Sequence, residues 1–221
     1  MYQISISPDE IEGLEVCSFP GKIKVINNMG FEYFKAISYL KSQKVIGFDT
    51  ESRPCFTPHH PHYGTSLLQL SGANKAYLFR IKKMGSIPKA LCRILSDEKI
   101  IKVGAAVNDD VRGLEKLSKF SAKGFLDLQS MVWEYGIKDK SVKKMAAIIL
   151  GVRISKAQQL SNWEADELSE AQKAYAATDA WICREMFLKL KASPKNPLTP
   201  EQMLPNPPKN AENDKDISQE G

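Results

Sequence analysis

The sequence predicts an α/β domain built on a mixed sheet, and three observations carry that expectation. Short apolar runs bounded by polar or turn residues recur along the first half of the chain, as buried strands do. Amphipathic stretches of helical length stand between or after them. The first three runs are joined by segments with little helical character, which points to a hairpin or meander, whereas the later one is reached through helices.

Taken in order, the strand candidates are Val45-Ile46-Gly47-Phe48, Ser66-Leu67-Leu68-Gln69-Leu70, Ala76-Tyr77-Leu78-Phe79 and Ile100-Ile101-Lys102-Val103. The helix candidates cover roughly residues 29–42, 86–96, 109–119, 141–150 and 169–190. Six of the 12 prolines (Pro194, Pro197, Pro200, Pro205, Pro207 and Pro208) crowd the last 30 residues, with Asn, Lys, Glu and Gln between them. Proline lacks the amide donor that helix and sheet need. A domain over residues 1–191 and a disordered or loosely docked tail over 192–221 are therefore expected.

At 221 residues, 43% hydrophobic and 26% charged, the chain has the composition of one globular domain and is far from the polar extreme of disorder. The formal charge of +5 is uneven: the segment from Ala192 carries three Lys against five acids, a net of −2, which leaves +7 on the body. A basic body suits a polyanionic partner. The four cysteines, Cys17, Cys55, Cys92 and Cys183, have no thiolate-site spacing and read as reduced. No run approaches the roughly 20 apolar residues of a membrane span and the N-terminus has no signal-like region, so a cytoplasmic protein without a membrane partner is expected.

The chemistry lies in acids at places where acids are expensive. Asp49-Thr50-Glu51 ends the run Val45 to Phe48, and strand alternation puts Asp49 and Glu51 on one face. Like charges a few Å apart repel, so such a pair persists best around a cation, although taken alone it also reads as two solvated carboxylates at a strand end. Asn108-Asp109-Asp110 follows the run ending at Gly104 and leads into a helix, where one of the three serves as a cap. Tyr175 and Asp179, four apart in a helical stretch, share a face.

Phe48-Asp49-Thr50-Glu51, Val103 to Asp110, and Tyr175-Ala176-Ala177-Thr178-Asp179 resemble, in order and spacing, the three motifs of the 3′–5′ exonuclease superfamily defined by four acids and a tyrosine. Within it the chain is most similar to the Werner-syndrome exonuclease domain and its bacterial relatives, through Leu160-Ser161-Asn162-Trp163, the run Gln172 to Ala180, and Tyr77-Leu78-Phe79, and more distantly to ribonuclease D. The likeness covers roughly residues 20–190. It implies a ribonuclease H-like mixed sheet flanked by helices, and removal of nucleotides one at a time from the 3′ end of nucleic acid, DNA being favoured over RNA. It also implies two divalent cations, Mg²⁺ or Mn²⁺. Asp49 would bridge both, Glu51 and Asp179 would serve the water-activating one, Asp110 would serve the leaving-group one, and Tyr175 would orient the water.

Aligning Val103-Gly104 with the family's small-residue run places the second-motif acid on Asp110, with Asp109 as a neighbour. Thr50, Asn108 and Trp163 are candidate substrate contacts, the last by stacking on a base, with packing of its own turn as the alternative reading of Trp163. Arg53, Lys75, Arg80, Lys102, Lys143, Lys144 and Arg153 are candidates for a strand-binding surface. The cluster His59-His60-Pro61-His62 reads as a solvated loop beside the site, with a transition-metal site or a contact with substrate phosphate as the alternatives. A ribonuclease D-like RNA trimmer and an inactive nucleic-acid-binding module on the same fold are the alternatives; loss of a metal acid would mark the latter, and all four are present. A helicase, a repair partner or the accessory helical domains of ribonuclease D are expected to reside on a separate protein.

Overall fold

In the computed structural model, which describes residues 1–55 and 64–204, a six-stranded sheet has the order β1-β4-β3-β2-β5-β6. The strands are β1 (Lys22–Ile26), β2 (Val45–Ser52), β3 (Thr65–Ser71), β4 (Lys75–Phe79), β5 (Ile101–Gly104) and β6 (Phe125–Asp127). β3 is antiparallel to both its neighbours, and the pairs β1–β4, β2–β5 and β5–β6 are parallel. The C-terminal ends of every strand but β3 thus lie along one edge. This is the ribonuclease H-like mixed sheet, and the expected meander is the run β2-β3-β4.

Helices cover both faces. On one lie α2 (Phe31–Lys41), α4 (Lys89–Leu95) and α5 (Val107–Leu117), whose apolar stripes pack with Phe48, Leu68, Leu70, Tyr77 and Phe79. On the other, α8 (Glu170–Lys191) crosses the sheet and packs with α7 (Val142–Leu150) over Val103, Met145, Ile182 and Met186. α8 runs for 22 residues because Ser169 and Gln172 form a reciprocal capping box at its start and good helix formers follow. Shorter helices are α1 (Pro8–Glu12), α3 (Ile81–Met84), α6 (Leu128–Met131) and α9 (Pro200–Met203). Among the described residues no helix is long and apolar enough to cross a membrane, and the four cysteines are free thiols.

The docked chain continues past the expected boundary at residue 191. The Asn196 and Leu198 amides donate to the Glu134 and Trp133 carbonyls, both at 2.9 Å, Leu198 is buried, and Thr199 and Gln202 form a capping box around Pro200 at the start of α9. The prolines there fall between hydrogen-bonding positions or at the first turn of a helix, where a missing amide costs nothing. The His59, His60 and His62 loop lies outside the described residues.

Candidate active site

β2 is the central strand, flanked by β3 and β5, and its last residues carry Asp49 and Glu51. Its pairing with β3 shifts register between Glu51 and Ser52, a bulge of the kind that ends pairing beside functional sites. α8 brings Asp179 and Tyr175 over the same end. The close approach of helix to strand depends on Gly47, where a methyl group would overlap the Ala180 carbonyl oxygen. Ala176, Ala177 and Ala180, all fully buried, keep the facing side of α8 small.

One carboxylate oxygen from each of Asp49, Glu51 and Asp179 lies within 4.8 Å of the others. A cavity of about 320 Å³ opens on them, lined also by Thr50, Tyr175, Lys143 of α7, and Lys156 and Gln159 of the following loop. Burial pushes the Asp49 carboxyl well above the usual range, and the charges of Asp179 and Asp110 push it further. Glu51 is raised to about 10 by burial and then by Asp49, Asp179 and Asp110. Asp179 is raised to about 6 by burial, against the opposing effects of its hydrogen bond from Tyr175 and the Lys156 charge. Burial and the adjacent carboxylates also hold the Tyr175 phenol protonated. Three convergent oxygen donors that resist ionising together fit a divalent cation, which would favour the fully charged set; the donor set itself supports divalent metal use.

Asp110 reaches the site differently. It sits in the first turn of α5 and accepts a hydrogen bond from the Thr50 hydroxyl at 2.5 Å. Burial raises it to about 6, with Thr50 opposing and Asp109 and Asp127 adding to the shift. The turn before α5 contains Ala106 in the left-handed region, φ 56°, a conformation that costs a non-glycine residue about 1–2 kcal/mol. Asp127, at the end of β6, holds it there: its Oδ1 accepts from the Ala106 amide at 3.0 Å and the Gln129 amide at 2.9 Å. Asp109 faces solvent and pairs with Arg112 at 3.3 Å, so of the two adjacent acids it is Asp110 that turns toward β2.

The candidate substrate contacts divide. The Thr50 hydroxyl is committed to Asp110, although Thr50 lines the cavity. Asn108 is exposed on α5 and does not line it. Trp163 is fully buried, its ring 5.9 Å from that of Tyr175, among Leu67, Leu78, Leu168 and Ala176. It cannot stack on a base; it packs behind the tyrosine instead. Of the candidate cations, Lys143 lines the cavity, but Arg80 and Lys102 are buried. Arg80 donates to the Ala165 carbonyl at 2.5 Å, clamping the loop that carries Lys156 and Gln159. Lys102 donates to the Ile94 and Asp97 carbonyls at the end of α4. Lys144 pairs with Asp139, and Arg153 donates to the Leu14 carbonyl.

Residue reading missed Lys156 and Gln159, which lie in an irregular loop without periodicity, and Asp127, whose strand is three residues long. It also passed over Gln69. That side chain is the cross-strand partner of Asp49, is fully buried, and has no hydrogen-bond partner among the described residues for either amide atom. Its place at the centre of an apolar run gives no outward sign of this.

Known proteins resemble this arrangement. The chain is 33% identical over 156 residues to the exonuclease 3′–5′ domain-containing protein 2 of Drosophila melanogaster, covering 69% of this chain and 26% of that protein. It is 28% identical over 195 residues to the bifunctional 3′–5′ exonuclease/ATP-dependent helicase WRN of Mus musculus, covering 85% of this chain and 14% of the relative. The chain thus spans about a quarter or less of these relatives. A ribonuclease D of Trypanosoma brucei, solved in complex with RNA U12, shares the fold with a TM-score of 0.65 at 21% identity, over 79% of this chain and 64% of that one. The 3′–5′ exonuclease family model matches residues 30–193, most of the chain and all three acid motifs, and the chain belongs to that family.

Proposed function

We propose that this chain hydrolyses phosphodiester bonds from the 3′ end of a nucleic acid strand, releasing one nucleotide at a time with the help of two divalent cations, Mg²⁺ or Mn²⁺. The observation that carries the reading is the convergence of Asp49, Glu51 and Asp179 within 4.8 Å, on a strand and a helix packed backbone to backbone. Asp49, Glu51, Asp179 and Asp110 are the cation ligands in this reading, and all-oxygen donors favour hard cations over those that seek sulfur or imidazole. Such cations, when bound, supply an acidified water and charge neutralisation at the phosphoryl and leaving oxygens.

The remaining work falls to the protein. Tyr175, kept protonated and braced by Trp163, orients the attacking water through its hydroxyl. Lys143 and Lys156 flank the acids and meet the negative charge of the phosphate. Asp110, held by the Thr50 hydroxyl, serves the leaving 3′-oxygen in this reading. DNA is favoured over RNA, because the Werner-type likeness extends over 85% of this chain.

The test is to incubate purified protein with 3′-labelled and 5′-labelled single-stranded DNA, recessed-end duplex and RNA of matched sequence, each with Mg²⁺, Mn²⁺ or chelator. A 5′-labelled ladder that shortens from the 3′ end and vanishes in chelator is expected, faster on DNA. A ladder that persists in excess chelator counts against the metal reading. Faster cleavage of RNA moves the chain to the ribonuclease D side, and tight binding without cleavage makes it an inactive binding module.

A further inference from the structure

A second concave surface lies away from the acids. It is a groove of about 1140 Å³ over the outer side of α4, reaching α2 at one end and the segment after α5 at the other. Its charge is one-sided. Lys83, Lys89, Arg93 and Lys119 line it, and among the described residues no Asp or Glu does, in a chain with 26 acids. Lys83 is bound to Asp166; Lys89, Arg93 and Lys119 are exposed and make no ion pair among the described residues.

The groove is also aromatic at its rim. Phe34 lines it at 61% exposed, and Phe31, one helical turn earlier on α2, is 73% exposed; they are the two most exposed phenylalanines among the described residues. The Lys35 ammonium lies 4.1 Å over the Phe31 ring. The one acid nearby on α2, Glu32, is neutralised by Lys24 and Lys35. Exposed aromatic faces beside unpaired cations are the combination that holds single-stranded nucleic acid, bases on rings and phosphates on ammonium and guanidinium groups.

Topology connects this surface to the acids. β1, β4 and β2 point the same way, so the groove's Asn27, Asn28 and Met29, just past the end of β1, open on the same sheet edge as Asp49 and Glu51 at the end of β2. β1 and β2 are three places apart in the sheet, a separation of about 15 Å at ordinary strand spacing. That is the distance to the groove's near end at Asn27, Asn28 and Met29; the cations on the outer side of α4 lie farther, on the face opposite α8, so a strand with its 3′ end at the acids passes over the sheet edge before it meets them.

We propose that this groove is a second nucleic-acid site, which holds the body of the single strand whose 3′ end occupies the acid cluster: its bases stack on Phe34 and Phe31 and its phosphates meet Lys89, Arg93 and Lys119. The proposal rests on the exonuclease reading for the strand's end, and its own content is strand-length dependence. A substrate too short to reach the groove gains nothing from it.

The experiment compares the full chain with Phe34→Ala and with the triple variant Lys89→Glu/Arg93→Glu/Lys119→Glu, all at exposed positions, with folding checked by circular dichroism. KM and kcat are measured with Mn²⁺ on a trinucleotide and on a single strand of about a dozen nucleotides. Anisotropy of the labelled longer strand is measured in chelator across a salt series, which reads binding without chemistry. The expected result is a KM about tenfold or more higher for the longer strand, with the trinucleotide changed by less than about twofold. For the triple variant the slope of log K against log salt should flatten by about 2. Unchanged KM, binding and salt slope on the longer strand overturn the proposal, as does an equal loss on both substrates. If a variant's effect disappears once residues 205–221 are removed, the acidic end of this chain is the occupant and the proposal is wrong. Should the wild type cleave neither substrate, the exonuclease reading fails, while the anisotropy series still decides the groove.

Discussion

Asp49, Glu51 and Asp179 are carried by backbone that cannot separate without opening the helix–sheet interface at Gly47 and Ala180, whereas Asp110 is aimed by a hydroxyl and a carboxylate. Moving the backbone under any of the first three means shifting a strand or a 22-residue helix. Re-aiming Asp110 takes rotation of one side chain away from Thr50. A single acid cluster thus joins a pre-organised half to an adjustable one, and the two halves should fail differently when disturbed.

The largest expected effect is in the rigid half. The Asp49 carboxyl is held well above its ordinary range, by burial first and then by the charges of Asp179 and Asp110. Asp49→Asn should lower kcat by about 10³-fold, with strand binding in chelator unchanged. In the adjustable half, Asp110→Asn should cost about 10²-fold in kcat at saturating Mn²⁺. If Asp110→Asn proves as damaging as Asp49→Asn, the two halves do not differ in the way proposed.

Gly47→Ala tests what holds the rigid half without touching an acid. The added methyl meets the backbone of Ala180, so α8 must shift and carry Tyr175 and Asp179 with it. A stability loss of about 1–3 kcal/mol is expected, read as a lower Tm. A fall in kcat of about tenfold or more should accompany it, since small displacements of positioned groups are costly. Full activity at reduced Tm would show that the acids tolerate helix movement.

Much of this was legible from residues because the relevant patterns are local. β2 to β5 are apolar runs, the five longer helices are amphipathic, and the acids sit at fixed offsets from them. What escaped was decided by distant partners. β1 is an edge strand whose Lys22 and Lys24 interrupt an apolar reading, and β6 is too short to show a period. Trp163 has polar neighbours that suggest a solvated turn. That turn folds inward because Glu164 accepts from Ser66 and the Asn162 carbonyl accepts from Gln172. Arg80 and Lys102 look like surface cations until the carbonyls that satisfy them are seen. Prolines hid the docking of Leu198 for the same reason: its amide partner lies far back in the chain.

The protonation of the cluster gives a smaller effect with a definite sign. Asp110 and Asp179 are raised from 3.8 to about 6, and Glu51 from 4.5 to about 10, so the metal-free fold binds more protons than the unfolded chain between those values. Their contribution to stability is full below the unfolded values and is lost as pH rises, first through about 6 and then toward 10 for Glu51. A divalent cation replaces the protons, so the Tm gain from Mn²⁺ should be larger near about pH 8 than near about pH 5. An equal gain at both would mean that the acids are already ionised without metal.

Asp109 should matter least to the rate, and it is informative because it stands beside Asp110 on the same turn. Adjacent positions on a helix point about 100° apart, and here that separation sends Asp109 to solvent, paired with Arg112 at 3.3 Å, and Asp110 toward Thr50. The Asp109–Arg112 pair is exposed on both sides, so its loss removes little stability. What Asp109 contributes to the site is charge at a distance: it is one of the groups that raise Asp110. Asp109→Asn should therefore leave kcat within about threefold and shift the acid limb of the pH–rate profile slightly to lower pH, since Asp110 ionises more readily without a neighbouring negative charge. Measured beside Asp110→Asn at saturating Mn²⁺, the pair of variants separates side-chain direction from mere proximity. A dead Asp109→Asn with an active Asp110→Asn would mean that α5 turns the other acid to the metal during catalysis, and the adjustable half would then be the whole first turn of the helix rather than one side chain.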